Sequence, residues 1–310
     1  MFAIGDTRTP AADGETIQKT LPKHLFTALS QPNVAFSMTT IGFIGAGQMA
    51  QALAAGIGNA YDDVSFEITD PSDEAKTLFC SKVSTSVQIR ETAGEIFRHC
   101  DVVFLAIKPQ YFHAALKKSV IQESLGDQSA SPLVVSIVAG VSIDVIAEAT
   151  GVPQIARVMP NTPCLIMEGA SAVSFSNPVS PEQQKQVLDL LGAVGTVVSV
   201  PENLMNSVTG LSGSGPAYVF TFIESLIDAG VLTGLPRDIA RKLAIQTVIG
   251  AAQLVEQSGE HPAVLRDRVT SPGGTTIAAL KQLEVNDFRG TVIQAVEAAT
   301  GRAKELGRKS

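Results

Sequence analysis

The sequence contains little of what cysteine chemistry, metal binding or nucleic-acid binding requires. Tryptophan is absent from the 310 residues, and aromatic residues make up only 5% of them. The three cysteines, Cys80, Cys100 and Cys164, lie far apart without the spacing of metal ligands, which predicts reduced thiols and no metal site. The formal net charge is −7 and no long basic run occurs, so we expect no nucleic-acid partner.

Signals for targeting are also missing. No run of about 18 apolar residues occurs, so the sequence predicts no membrane span. Residues 1–37 lack the apolar segment of a secretory signal and carry Asp6, Asp13 and Glu15. This stretch has no periodicity, and Met38 stands just before the first predicted strand, which favours a disordered extension or a start codon assigned too early. We expect a cytoplasmic protein.

A regular alternation of strand and helix patterns fills the chain from residue 40 to about residue 200. Apolar runs predict strands at 40–44, 65–69, 101–106, 133–137, 154–158, 171–175 and 196–200. Helical patterns lie between them, at 48–58, 88–98, 111–118 and 182–193. This alternation predicts an α/β fold with an N-terminal, Rossmann-like doubly wound parallel sheet.

The final third of the chain has a different pattern. Phe220, Ile223 and Ile227 recur at helical spacing, and strand signals are absent. We therefore expect a dinucleotide-binding domain over residues 38–200 and an all-α domain over residues 201–310. Its small residues would permit close packing of helices within or between subunits.

A glycine-rich turn follows the first predicted strand and opens a helix, as in dinucleotide-binding folds. Gly45 permits the tight turn, Gly47 lets the backbone approach a pyrophosphate, and Ala50 replaces the third glycine. An acidic residue, Asp70, ends the second strand, where it would accept a hydrogen bond from the ribose 2′-hydroxyl. The residues assigned to the cofactor here are Ile44, Gly45, Ala46, Gly47, Gln48, Met49 and Asp70.

Two further strand ends should lie beside this turn, since ligands of such sheets bind at the carboxyl ends of the strands. We assign to the cofactor the residues that follow these strands, Ala106, Ile107, Lys108 and Pro109 and then Val138, Ala139 and Gly140. Lys108 could instead be a solvated lysine at the start of a helix, without contact to the cofactor.

Three loops are rich in glycine, proline and hydroxyl residues. Residues 159–163 (MPNTP) form either a rigid loop that presents polar groups or a simple turn. Residues 210–218 (GLSGSGPAY) form either a built turn into a helix or a flexible linker. In residues 269–276 (VTSPGGTT), glycines before a helix predict an anion site suited to a carboxylate. Thr275 and Thr276 add hydroxyls there or serve only as helix caps.

The usual protein acids of dehydrogenases are not found. No tyrosine begins a Tyr-x-x-x-Lys pair, and the four histidines are scattered. His261 precedes a proline, which favours a loop or cap position over catalysis. Reduction of a C=N bond fits best, because an imine can arrive already protonated and need only be positioned against a hydride donor.

Taken in order, these motifs resemble those of pyrroline-5-carboxylate reductases over about residues 38–308. The matching segments read IGFIGAGQMA, AIKP, MPNTP, VTGLSGSGPAY and VTSPGGTT. The resemblance implies NAD(P)H-dependent reduction of Δ1-pyrroline-5-carboxylate to L-proline, the last step of proline biosynthesis. It also implies a homodimer formed through an all-α C-terminal dimerisation domain, in some members assembled into a ring of dimers.

The resemblance further implies site residues. The loop would hold the substrate carboxylate through Ser271, Gly273, Gly274, Thr275 and Thr276. Thr276 would be the catalytic residue, with its hydroxyl on the ring nitrogen, and Glu202 is a candidate second substrate contact. Two positions depart from the family, Ala93 where an asparagine is common and Asp70 where some members are uncharged. Asp70 gives a modest lean to NADH over NADPH.

Other functions remain open at this point. One is a related reductase of another cyclic imine or of a 2-oxo acid, which a substrate panel would distinguish. Another is a non-catalytic dinucleotide sensor, although a sensor would not need the loop at 271–276.

We predict that residues 1–37 are dispensable. A chain beginning at Met38 should keep the melting temperature and activity of the full chain, since the removed stretch has no periodic apolar pattern to pack. Thermal unfolding and steady-state rates of the two chains provide the check. A loss of several degrees or of most activity would show that the stretch docks on the rest of the protein.

Overall fold

The structure is a computed structural model that describes residues 38–126 and 131–307. The prediction for residues 1–37 lies outside the described residues, as do the last residues of the predicted helical domain, 308–310. The described part contains the α/β half and the helical half that the sequence predicts.

Eight strands form one sheet in the order β3-β2-β1-β4-β5-β6-β7-β8. They are β1 (Thr39–Ile44), β2 (Val64–Thr69), β3 (Val87–Ile89), β4 (Val102–Leu105), β5 (Leu133–Ser136), β6 (Ile155–Met159), β7 (Gly169–Phe175) and β8 (Gly195–Ser199). The chain order reverses between β1 and β4, which is the Rossmann arrangement with its switch point at those two strands.

Helices cover both faces of this sheet. They are α1 (Gln48–Ala60), α2 (Asp73–Lys82), α3 (Ala93–His99), α4 (Phe112–Ala115), α5 (Lys118–Leu125), α6 (Ile143–Thr150) and α7 (Pro181–Gly192). One buried cluster joins the sheet to α1, α2 and α7, and a second joins it to α3, α4, α5 and α6. The predicted doubly wound sheet is therefore confirmed, with continuous apolar strands between two layers of helices.

Three details differ from the sequence prediction. The sheet is mixed, because β7 runs antiparallel to β6 while β8 pairs parallel with β7. The helix predicted over 88–98 is a short strand, β3, followed by α3, which a capping box of Thr92 and Glu95 starts. The helix predicted over 111–118 is instead a 3₁₀ turn, Pro109–Tyr111, followed by α4 and then α5.

Beyond β8 the described chain is helical, as predicted. It contains α8 (Met205–Val208), α9 (Gly215–Leu232), α10 (Arg237–Ser258), α11 (Pro262–Arg268), α12 (Thr275–Val285) and α13 (Phe288–Gly307). A π-helical turn, Thr209–Gly213, separates α8 from α9, and Pro216 lies in the first turn of α9. Gly234, with φ +102°, makes the turn between α9 and α10.

The helical half buries little of its apolar surface within one chain. No side chain of α9 or α12 is buried, and those buried in α10 and α13 are alanines. Large apolar side chains such as Phe220 and Ile293 are 63% and 67% exposed. Large apolar side chains exposed in this number are typical of an interaction surface. By length and composition alone, the stretch Glu202–Leu232 could also cross a membrane, which the sequence analysis did not anticipate.

Candidate cofactor and substrate site

The predicted cofactor residues meet at one edge of the sheet. Strands β2, β1, β4 and β5 are neighbours and run parallel, so their carboxyl ends lie side by side. Backbone hydrogen bonds continue past the strand ends, from Gly45 N to Thr69 O at 2.8 Å and from Ala106 N to Ile44 O at 2.9 Å. All four cofactor segments predicted from the sequence are thus brought to the edge where ligands of this fold bind.

The glycine-rich turn has the backbone that a phosphate-binding turn needs. Gly45 has φ +99°, and a Cβ there would lie 2.6 Å from the carbonyl oxygen of Ala106, so only glycine fits. A Cβ at Gly47 would meet open space. Helix α1 begins at Gln48 without a side-chain cap, whereas serine or threonine caps α2, α3, α6 and α7. The N–H groups that begin α1 therefore have no side-chain cap and can receive an anion.

Asp70 ties the end of β2 to this turn. Its Oδ2 accepts a hydrogen bond from Ala46 N at 2.8 Å, and its Oδ1 accepts one from Ser72 N at 2.8 Å. Ser72 caps α2 through its side chain, and Lys76 pairs with Asp73 at 2.7 Å. The carboxylate therefore shapes the glycine-rich turn as well as placing a negative charge at the edge.

The other two predicted segments differ in exposure. Lys108 is exposed and begins the 3₁₀ turn after β4, the helix-start position that the sequence left open. After β5, Val138 is buried, Ala139 is exposed, and Gly140 adopts φ +81°. This second turn presents backbone, not charge, to the edge of the sheet.

The MPNTP loop joins the sheet to the helical half. The buried side chain of Asn161 accepts from Ala170 N at 2.8 Å and donates from Nδ2 to Ser212 O at 3.1 Å. Ser212 belongs to the π-helical turn, so Asn161 fixes that turn against the start of β7. The loop therefore presents a polar side chain that joins two parts of the fold, and it is more than a simple turn between prolines.

The glycines of the GLSGSGPAY segment serve close packing. A Cβ at Gly213 would lie 2.5 Å from Met159 Cε, and one at Gly210 would lie 2.8 Å from Val296 O on α13. The hydroxyl of Tyr218 donates to Gly210 O at 3.1 Å. The segment is a built turn, and the alternative of a flexible linker is wrong.

The loop before α12 has the backbone of an anion site. Gly273 has φ +68°, Gly274 precedes the helix without a side-chain cap, and Gly274 N donates to Ser271 O at 3.0 Å. The helix begins at Thr275, so Thr275 and Thr276 occupy its first turn and neither serves as its cap. Thr276 is partly buried, and Thr275 is exposed. The alternative that these threonines only cap the helix is therefore wrong.

An open groove lies beside this loop. Its lining comes from α11, α12 and the loop between them and includes Arg266, Gly273, Gly274, Ile277 and Lys281. Among the described residues, no hydrogen bond or ion pair joins residues 271–276 to the carboxyl edge of the sheet. Within the described residues, the two predicted parts of the site are therefore not joined to each other by a polar contact.

Glu202 is engaged inside the chain. Its Oε1 accepts from the N–H of Ile143, at the start of α6, at 2.8 Å and from Arg157 Nη1 at 2.9 Å. The Arg157 side chain is 11% exposed and the Glu202 side chain 33%, so this ion pair is partly shielded from water. Arg157 was not predicted as a functional residue, although a charged residue inside an apolar strand is a signal for it. A substrate contact by Glu202 stays a prediction.

Cysteine and histidine chemistry find no support. Burial raises the pKa of the Cys100 thiol and of the Cys164 thiol, so both stay protonated. His261 caps α11, accepting from Ala263 N through Nδ1 at 3.2 Å, which confirms the predicted cap. Within the described ranges, no group of acidic, cysteine and histidine side chains could hold a metal ion.

Two family models match this chain. Residues 202–306 match the family described as pyrroline-5-carboxylate reductase dimerisation, and residues 40–140 match NADP oxidoreductase, coenzyme F420-dependent. The chain is 44% identical to a pyrroline-5-carboxylate reductase of Synechocystis, covering 87% of this chain and 98% of the relative. It is 40% identical to that of Arabidopsis thaliana, covering 86% and 95%.

Two solved structures are similar over the whole fold. A Plasmodium falciparum pyrroline carboxylate reductase with NADP bound gives a TM-score of 0.75 at 36% identity, covering 88% of this chain and 99% of that one. A pyrroline-5-carboxylate reductase of Coxiella burnetii gives 0.78 at 35% identity, covering 87% and 98%.

The fold and its carboxyl edge define an oxidoreductase with a pyridine-nucleotide-binding Rossmann half and a helical oligomerisation half. Similarity over nearly the full length of its relatives then identifies the family. The chain belongs to the pyrroline-5-carboxylate reductase family, as the motifs predicted.

We predict that Glu202 acts mainly through Arg157 and α6. Glu202→Ala should lower the free energy of unfolding by about 1–3 kcal/mol, because two hydrogen bonds to a charged group are lost and Arg157 is left without its partner. Chemical denaturation at one fixed protein concentration measures this. Arg157→Met should destabilise the protein similarly. A higher KM for substrate with unchanged stability in Glu202→Ala would instead assign Glu202 to substrate binding.

Proposed function

We propose that the protein reduces Δ1-pyrroline-5-carboxylate to L-proline with NAD(P)H. The observation that carries this proposal is a pair of uncapped helix starts, each preceded by glycine, whose backbone N–H groups can bind an anion. One is the glycine-rich turn and its neighbours at the carboxyl edge, and the other is the Gly-Gly-Thr-Thr start of α12. The relatives that match over most of the chain are named for this activity.

The carboxyl edge suits a dinucleotide. The uncapped start of α1 and the open space beside Gly47 fit a pyrophosphate. The turns at 106–109 and 138–140 would line the nicotinamide end through their backbone. When bound, NAD(P)H supplies a hydride to the C=N carbon, and the nitrogen keeps the electron pair of the C=N bond and becomes the amine of proline.

The α12 loop suits a carboxylate and a ring nitrogen. The N–H groups that follow Gly274, at the uncapped start of α12, would hold the substrate carboxylate, with Ser271, Gly273 and Thr275 shaping the loop around it. The partly buried hydroxyl of Thr276 would hydrogen-bond the nitrogen. No strong protein acid is required, because the imine can enter protonated.

We further propose that the two sites meet across a homodimer. The support is the exposed apolar surface of α9, α10 and α13, together with the lack of a link between residues 271–276 and the sheet edge in the described chain. A partner subunit would cover this surface, including the apolar part of Glu202–Leu232, and would bring its own α12 loop to the edge. Rings of such dimers are an extension of the same proposal.

The first experiment is an oxidation assay of NADH and NADPH with pyrroline-5-carboxylate. We expect turnover with both cofactors and formation of proline in equal amount to the cofactor oxidised. A panel of other cyclic imines and 2-oxo acids tests the related reductases. Cofactor binding without turnover on any of these substrates would favour the non-catalytic sensor.

Thr276 should matter to turnover. Thr276→Val keeps the shape and removes the hydroxyl, so a hydrogen bond that tightens as the nitrogen gains electrons is lost. A neutral donor of this kind is worth on the order of 1–2 kcal/mol, or roughly a 5–30-fold lower kcat. The measurement is kcat in a correctly folded variant. A wild-type kcat would limit Thr276 to a structural position in α12.

Gly274 provides the matched test of substrate binding. A Cβ at Gly274 would collide with the Ser271 hydroxyl, which must then turn away. Gly274→Ala should therefore raise the KM for pyrroline-5-carboxylate more than it lowers kcat, because Ser271 must shift in the loop that would hold the carboxylate. Steady-state kinetics at saturating cofactor measures both. An unchanged KM would separate this loop from the carboxylate.

Asp70 should favour NADH modestly, since its charge repels a 2′-phosphate. Asp70→Ser should shift the ratio of kcat/KM values towards NADPH. It should also lower both values, because Ala46 N or Ser72 N loses its acceptor. Asp70→Asn is the control that keeps an acceptor oxygen and removes the charge, so it should shift the ratio too. An unchanged ratio in both variants would show that Asp70 does not face the adenosine ribose.

A further inference from the structure

The last turn of α13 touches one of the turns at the carboxyl edge of the sheet. A Cβ built at Gly307 would lie 3.0 Å from the carbonyl oxygen of Gly140, and a Cβ at Gly140 would lie 3.6 Å from Gly307 N. The two backbones are therefore in direct contact. Gly140, with φ +81°, belongs to the turn after β5 that the proposed function places beside the nicotinamide.

The same helix is anchored in the helical half. Near its middle, the backbone of α13 approaches Gly210 of the π-helical turn, where a Cβ would lie 2.8 Å from Val296 O and 3.0 Å from Thr300 N. Nearer its start it packs against α12, whose first turn carries the Gly-Gly-Thr-Thr loop. At 20 residues, α13 is a rod about 30 Å long that contacts both the substrate loop's helix and the cofactor edge.

From these contacts we infer that α13 is a strut that sets the turn at 138–140, and that Gly307 is a positioning residue for the nicotinamide end of the cofactor. This inference rests on the proposed function. Protein backbone that meets backbone has no side chain able to turn aside, so any atom added at Gly307 moves either the helix end or the turn. A misplacement of about 1 Å at a reacting centre can lower a rate about 100-fold, so a smaller shift of this turn should lower kcat severalfold.

The helix supplies its own control for the test. Gly307 has an ordinary negative φ, so alanine there strains only the contact with Gly140. Gly301 lies in the same helix, and a Cβ there would meet nothing within 4 Å. Gly301→Ala therefore makes the same chemical change without a collision and should hold or raise stability, because alanine favours helix over glycine.

The experiment compares binding of NADH, NADPH and ADP-ribose to the full chain and its variants. In Gly307→Ala we expect the Kd of both nicotinamide cofactors to rise about 3–10-fold, and kcat to fall, at unchanged melting temperature. The Kd of ADP-ribose, which lacks the nicotinamide, should stay at the wild-type value, as should all three in Gly301→Ala. A role of Gly307 in folding alone would not separate NADH from ADP-ribose.

A second variant decides the matter if Gly307→Ala fails to fold. A chain that ends at Leu306 removes Gly307 together with residues 308–310 and should weaken NADH binding but not ADP-ribose binding. A chain that ends at Gly307 is its control, since it lacks only residues 308–310 and should bind both ligands as the full chain does. If the folded Gly307 variants bind NADH with the wild-type Kd, the inference that α13 sets the turn at 138–140 is wrong. Failure of the wild-type protein itself to bind NAD(P)H would instead overturn the proposed function, so the two failures are distinct.

Discussion

Parallel pairing of β1 with β2 on one side and with β4 on the other is the constraint on which the cofactor edge depends. Because these strands share a direction, the turns that follow them, at 45–47, 70 and 106–109, end at one edge. The close approach of Gly45 to Ala106 then ties two of these turns to each other. The edge presents mainly backbone groups, and the Asp70 carboxylate accepts hydrogen bonds from Ala46 N of the glycine-rich turn and from Ser72 N.

The helical half depends on a different kind of contact. Its chain is folded back on the sheet at a few sites where glycine or a buried polar group permits a close approach. Asn161 links the π-helical turn to β7, and Glu202 links the junction to Arg157 and α6. Side-chain packing within one chain adds little, since the residues buried in α10 and α13 are alanines. In the helical half, a few close contacts therefore fix the position of the chain against the sheet, while packing of large apolar side chains contributes little within one chain.

Sequence alone predicts those features that a local pattern carries. The turn at Gly45, the cap at His261 and the proline in the first turn of a helix, Pro216, are short-range signals and are confirmed. The antiparallel β7 was not predicted, because a buried strand of either direction shows the same apolar run. The capping box at Thr92 and Glu95 was readable in the sequence and would have corrected the helix predicted over 88–98.

Other features depend on pairs of residues far apart in the chain. Arg157 was visible as a charge in an apolar strand, but its partner Glu202 is set by the fold. Gly307 has no motif around it, and its importance follows only from its contact with Gly140. Long-range backbone contacts of this kind leave no periodic trace in a single sequence.

The exposed apolar surface of the helical half has a consequence for how the protein behaves on dilution. Subunit contacts that cover Phe220 and Ile293 in the oligomer would complete a core that one chain lacks. Folding of that half and association of subunits are then one equilibrium, so the midpoint of thermal unfolding depends on protein concentration. If a cell made less of this protein, the fraction of the protein that is folded would fall as well, so the amount of folded enzyme would drop more steeply than the total amount.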